Sequence, residues 1–153
     1  MAITETAAEQ LPMCTGPIGL AARPAGPWRV VVADDDRDMR EMIASVIAAD
    51  GYEVIQACDG SELIARLEEV AGQPRGRATV AAIIADVRMP RLDGLDVLAA
   101  LRCAGWHTPV ILITAFGDEA THHEAHHLDA IGVLDKPFAL ERLRSLVQRI
   151  ALR

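Results

Sequence analysis

The sequence predicts an α/β domain in which a parallel β-sheet is covered by helices on both faces. Two patterns lead there. Five short apolar runs recur along the chain, and each is followed by a segment whose apolar residues return at helical spacing. The strongest runs are apolar throughout rather than alternating, as strands buried on both faces must be. No internal repeat is visible, and crossovers in such a sheet are right-handed.

The elements follow in order. Arg29 to Ala33 is the first strand, Arg-Val-Val-Val-Ala. Met39, Met42, Ile43, Val46 and Ile47 form the first helix. Asp38 with Glu41 is its expected capping box, and Asp50-Gly51 is its stop. Tyr52 to Ala57 is a second strand, and Asp59 with Glu62 opens a helix carried by Leu63, Ile64, Leu67 and Val70. A loop holds Gly72, Pro74 and Gly76. Val80 to Ala85 is the third strand, Pro90 to Gly94 a turn, and Leu95, Leu98, Ala99 and Leu101 the third helix. Pro109 to Ile113, Asp118 to Leu128, Ile131 to Leu134 and about Phe138 to Ala151 complete the alternation as strand, helix, strand and helix.

Composition agrees with one soluble domain. The chain has 153 residues, 51% of them apolar and 24% charged. A domain of this size buries roughly 70% of its unfolded surface and needs no disulfides. Cys14, Cys58 and Cys103 are far apart and form no CxxC pair, which fits a reducing cytoplasm. The net charge of −7 argues against nucleic-acid binding. No apolar run is long enough for a membrane span, and no signal peptide is read at the N-terminus. Residues 1–28 hold four of the eight prolines and no periodicity, so they are expected to be a flexible extension preceding a domain over residues 29–151. No output domain is expected after it.

Ligands of an open α/β sheet bind outside the carboxyl ends of its strands. The first strand ends there in Asp34, Asp35 and Asp36, the third in Asp86, the fourth in Thr114, and the fifth in Asp135 and Lys136. Lys136 is the only lysine beside 14 arginines. Clustered carboxylates repel unless a cation sits among them, and an all-oxygen donor set suits Mg²⁺. A hydroxyl and an ammonium beside such a metal suit a tetrahedral anion, and an Asp can itself be the nucleophile in phosphoryl transfer. Asp86 stands alone at the end of the most apolar strand and is the natural acceptor. Each part taken singly has a plainer explanation, such as a helix cap at Asp36 or Asp38, but four of the five strands deliver a suitable group to one edge.

These segments resemble the receiver domain of bacterial two-component response regulators, the CheY-like group. The resemblance rests on Val31-Val32-Ala33-Asp34-Asp35-Asp36, Ile83 to Gly94, Ile111-Leu112-Ile113-Thr114-Ala115 and Leu134-Asp135-Lys136-Pro137-Phe138, in order and at fitting spacing. It implies a doubly wound sheet of order 2-1-3-4-5. It implies that Asp86 takes a phosphoryl group from a sensor histidine kinase or a histidine phosphotransfer protein. Asp35, Asp86 and the main-chain carbonyl of Arg88 would bind Mg²⁺ directly, Asp34 would help through water, and Thr114 and Lys136 would hold the phosphoryl oxygens. The Lys136–Pro137 bond is expected cis. Output would pass to a protein target through the face made by the fourth helix, fifth strand and fifth helix, or onward along a relay. Homodimerisation stays open.

Two alternatives remain beside it. One is a phosphorylation-independent binding module on the same fold, against which the complete set Asp34, Asp35, Asp86, Thr114 and Lys136 argues. The other is a haloacid-dehalogenase-like phosphatase, which wants a second Asp where Arg88 stands. The chain also departs from the family pattern. Val133 occupies a position that is often aromatic, and Asp129 one that is often glycine, where Asp tolerates left-handed backbone. Phe116 stands two residues after Thr114, where bulk would hinder attacking water. The fourth helix carries His122, His123, His126 and His127, whose i, i+4 pairs suit a transition metal, although a polar helix face explains them more simply. Imidazoles gain charge below about pH 6.5, so this face is expected to be pH-sensitive.

Overall fold

The computed structural model describes residues 28–115 and 117–151. The extension expected over residues 1–28 lies outside them except for Trp28, and so does Phe116. Five strands, β1 (Arg29–Ala33), β2 (Glu53–Ala57), β3 (Val80–Asp86), β4 (Val110–Thr114) and β5 (Gly132–Asp135), alternate with five helices. These are α1 (Arg37–Ala49), α2 (Gly60–Ala71), α3 (Gly94–Cys103), α4 (Glu119–His127) and α5 (Leu140–Ala151). The sheet is parallel throughout in the order β2-β1-β3-β4-β5, the order implied by the family resemblance.

The central strands are apolar because both of their faces are covered. Val30, Val32, Ala82, Ile84, Ile111 and Ile113 pack with Ile43 and Ile47 of α1 and Leu143 and Val147 of α5. Val31, Ala33, Ile83, Ala85 and Leu112 pack on the other side with Leu63, Leu67, Leu98, Leu101 and Ala125 from α2, α3 and α4. Successive residues of a strand point to opposite faces, so one apolar run feeds two cores.

Helix starts are set by aspartates. Asp36 caps α1, its side chain accepting from the amides of Asp38 and Met39 at 3.0 and 3.2 Å. This corrects the expected capping box at Asp38 and Glu41. Asp38 lies inside the first turn, and Glu41 pairs instead with Arg37 at 2.8 Å. Asp59 does open α2 as expected, accepting from Glu62 N, while Glu62 reaches back to Cys58 N at 2.6 Å. Asp93 and Asp118 cap α3 and α4 in the same way. Asp129 takes left-handed backbone after α4, with φ of 62°.

Boundaries shift by a residue or two where the ladder decides them. β4 begins at Val110 because Pro109 has no N–H, although its carbonyl accepts from Ile83 N. β5 runs one residue later than expected, to Asp135, and α5 starts at Leu140. A short 3₁₀ turn, Arg77–Thr79, precedes β3 where only a loop was expected. Among the described residues no helix is long and apolar enough to cross a membrane.

Candidate functional site

Neighbouring parallel strands end at one edge, and that edge collects the charged residues. β3 is buried along its whole length, so the Asp86 carboxylate is carried into the protein and is only 5% exposed. Asp34 follows β1 directly and is 1% exposed, while Asp35, one residue on, points outward. The three carboxylates bring oxygen atoms within 4.8 Å of one another. Lys136, just past β5, sets its Nζ 2.8 Å from Asp86 Oδ2 and 3.6 Å from Asp34 Oδ2. Its backbone is held in place by a hydrogen bond from Lys136 N to Thr114 O, and the Lys136–Pro137 bond is cis.

The backbone around Asp86 is fixed by three contacts. Arg88 N donates to Asp86 Oδ1 at 3.0 Å, Val87 N donates to Ile113 O, and Gly94 N donates to Val87 O. The chain passes so close at Gly94 that a Cβ there would sit 2.5 Å from the carbonyl oxygen of Asp86. Glycine is therefore required at the start of α3 for the turn after Asp86 to close. A groove of about 610 Å³ opens at the same edge, lined by Asp35, Val87, Arg88, Met89, Thr114 and Thr121 among others. Thr114 itself is 1% exposed.

The electrostatics are unbalanced. Two buried aspartates and a third beside them face a single ammonium. Asp34 Oδ1 accepts from Asp36 N, but Asp34 Oδ2 is buried without a hydrogen-bond partner, its nearest cation lying beyond hydrogen-bond reach. Burial first, then the neighbouring Asp86 charge, push the Asp34 carboxyl up to about 6, against the pull of Asp36 N–H and Lys136. Burial lowers the Lys136 ammonium, but its hydrogen bond to Asp86 and the two carboxylate charges outweigh this, and its pKa rises. An orphaned buried carboxylate oxygen in an all-oxygen cluster fits a hard divalent cation.

The strand ends thus bring Asp34, Asp35, Asp86 and Lys136 together, set Thr114 at the same edge, and tie Arg88 to Asp86 through its amide. Two further contacts were not legible in the sequence. Arg40 Nη1 donates to the carbonyl of Asp34 at 2.9 Å, holding the acidic turn from α1. His122 Nε2 meets Asp135 Oδ1 at 3.1 Å, linking α4 to the residue before Lys136. Arg40 lies six residues after Asp34 across the turn from β1 to α1, and His122 thirteen residues before Asp135, spacings that neither helix nor strand periodicity marks. Val133 is partly buried against the core in place of the aromatic the family often has there.

Comparison with known proteins supplies the family. The model of the response regulator receiver domain matches residues 30–148. Response regulator MprA of Mycobacterium ulcerans is 38% identical over 128 residues, covering 81% of this chain and 52% of its own length. Response regulator RR06 of Streptococcus pneumoniae is 32% identical over 124 residues, covering 78% and 53%. The chain spans about half the length of the curated relatives it matches. Among solved structures, the Vibrio cholerae chemotaxis protein CheY4 is 30% identical, with a TM-score of 0.70 over 82% of this chain and 99% of that one. The Francisella response regulator 1452 receiver domain is 28% identical, with a TM-score of 0.70 over 82% and 97%. A shared fold hosts many functions, so the weight rests on the sequence match, which runs through every strand end of the acidic edge. On that ground the chain belongs to the response regulator receiver domain family, the signalling module of two-component systems.

Proposed function

We propose that this chain is a phosphoacceptor switch in a two-component phosphorelay, with Asp86 as the acceptor. The observation that carries the reading is the excess of buried carboxylate around one lysine. Asp86 is pinned between Lys136 Nζ and Arg88 N–H, beside an Asp34 oxygen with no hydrogen-bond partner. An Asp86 carboxylate oxygen attacks the phosphorus of a phosphohistidine on a sensor kinase or phosphotransfer protein. The P–N bond breaks, its electrons return to the imidazole, and an acyl phosphate forms. Asp34, Asp35, Asp86 and the main-chain carbonyl of Arg88 are the groups that would hold Mg²⁺, which when bound neutralises charge on the phosphoryl oxygens. Lys136 and the Thr114 hydroxyl hold those oxygens once they are transferred, so Lys136 exchanges a carboxylate partner for a phosphoryl one.

That exchange links chemistry to the surface. Thr114 ends β4 and Lys136 follows β5, so both strand ends respond to the added group, and α4, β5 and α5 form the face that a downstream protein meets. The protein is not an enzyme in the ordinary sense and catalyses only its own phosphorylation and dephosphorylation, in the cytoplasm.

Intact mass after incubation with acetyl phosphate and Mg²⁺ tests this. One phosphoryl adduct is expected on the wild type, dependent on Mg²⁺ and absent in Asp86→Asn. An adduct that persists in Asp86→Asn, or none on the wild type with either acetyl phosphate or a phosphorylated histidine donor, overturns it.

A further inference from the structure

The phosphoacceptor reading leaves the histidines of α4 without a role. Four of the chain's five histidines, His122, His123, His126 and His127, lie on this nine-residue helix. At 3.6 residues per turn they share one arc of roughly 140° around the helix. Ala125 faces the core, and His123, His126 and His127 are exposed. His122 is different. It is half-buried at the flank of the arc, and its Nε2 lies 3.1 Å from Asp135 Oδ1.

We propose that His122 and His126 form a transition-metal site for a Zn²⁺-class cation, with Asp135 as the orienting outer partner. Residues four apart on a helix stand about 5–6 Å apart at Cβ, the spacing that lets two imidazoles take one ion. A carboxylate only accepts hydrogen bonds, so Nε2 of a neutral His122 carries the proton and Nδ1 keeps its lone pair. Metal-binding histidines are oriented in this way by a carboxylate on the far nitrogen. A cavity of about 570 Å³ opens beside His122, lined by Gly117, Glu119, Ala120, His122 and His123, while His126 lies outside it on the exposed side of the helix. A Cβ at Gly117 would collide with the Asp135 carboxylate and lie 2.9 Å from His122 Nε2, so glycine there is what allows the pair to meet.

The site is separate from the acidic edge in its chemistry. Imidazole nitrogens favour Zn²⁺, Ni²⁺ and Cu²⁺, whereas the aspartate oxygens favour Mg²⁺. It meets that edge through Asp135, which precedes Lys136. His123-Glu124-Ala125-His126-His127 spells the helical pattern of zinc hydrolases, but His123 and His127 lie on the outer side of the arc, and nothing among the described residues covers them. The site assigned here binds and does not hydrolyse.

Calorimetric titration of the full chain with zinc chloride, with Mg²⁺ saturating, tests it. One Zn²⁺ per chain is expected. His122→Ala and His126→Ala should each weaken binding at least tenfold. Asp135→Ala should weaken it by about tenfold, the lower end for an outer partner. His127→Ala should leave it unchanged. Amide NMR shifts on adding Zn²⁺ to the wild type should centre on α4, which locates the ion without any variant. No zinc uptake, shifts centred on Asp34 and Asp86, affinity untouched by His122→Ala or by Asp135→Ala, or affinity lost in His127→Ala would each overturn the assignment.

Discussion

Two ion pairs of this molecule use the same chemistry to opposite ends. Arg144 on α5 grips Asp50 at the end of α1 with Nε–Oδ2 of 2.9 Å and Nη2–Oδ1 of 2.7 Å, and its Nη1 meets Glu141 at 2.7 Å. Each of its three nitrogens donates to a carboxylate, the two hydrogen bonds to Asp50 raise the Arg144 pKa, and the helices are tied together. At the acidic edge, Lys136 faces Asp86 and Asp34 with one ammonium for two buried carboxylates, and Asp34 is held toward its neutral form. The first pair is complete as it stands. The second is complete only with more positive charge. Stability is gathered where charges balance, and ligand affinity is stored where they do not.

The contrast can be broken most completely at Asp86. Asp86→Asn is expected to abolish phosphoryl uptake, read by intact mass, while the fold persists. The next largest effect is on stability. Asp34 has a folded pKa of about 6 against 3.8 unfolded, so the folded state binds the proton more tightly. Its contribution is therefore present in full below about pH 4 and is lost as pH rises to about 6. The stability of metal-free wild type relative to Asp34→Asn should fall across that window, a difference in which the opposite trend of the lowered Glu41, Glu62 and Asp118 carboxyls cancels. At pH 7, Asp34→Asn should be more stable by on the order of 2 kcal/mol in urea titration. Mg²⁺ should raise the melting temperature of the wild type by binding only the folded state, and chelation should reverse this; the gain should shrink in Asp34→Asn.

Gly94→Ala comes next. The added methyl meets the Asp86 carbonyl at 2.5 Å, so a loss of about 1–3 kcal/mol is expected, with slower phosphoryl uptake because the turn after Asp86 must move. The smallest effect sharpens the comparison from the other side. Arg144→Ala should lower the melting temperature by breaking the α1–α5 tie, with phosphoryl uptake unchanged. Equal effects of Arg144→Ala and Asp34→Asn, in sign as well as size, would remove the distinction between the two pairs.

The candidate site was legible in the sequence because its parts sit at strand ends. Asp34, Asp86, Thr114 and Lys136 each follow an apolar run, and a parallel sheet brings such ends to one edge whatever the rest of the chain does. The sequence offers Asp36 and Asp38 alike as the α1 cap, for a related reason. Asp34, Asp35, Asp36 and Asp38 are near-equivalent as letters, and only the backbone geometry selects Asp36, whose side chain reaches two amides while Asp34 turns inward. Arg40, Arg144 and His122 were invisible as partners. They meet Asp34, Asp50 and Asp135 across separations that no periodicity encodes.

The sequence by itself determined the alternation of strands and helices, the two-faced burial of the central strands and the set of residues at the acidic edge. These follow from local periodicity and from which groups end an apolar run. Tertiary structure alone decided which carboxylate is orphaned, which cation each aspartate faces, and that His122 is oriented by Asp135. Burial and distance set those outcomes, and both arise only when segments far apart in the chain are packed against one sheet.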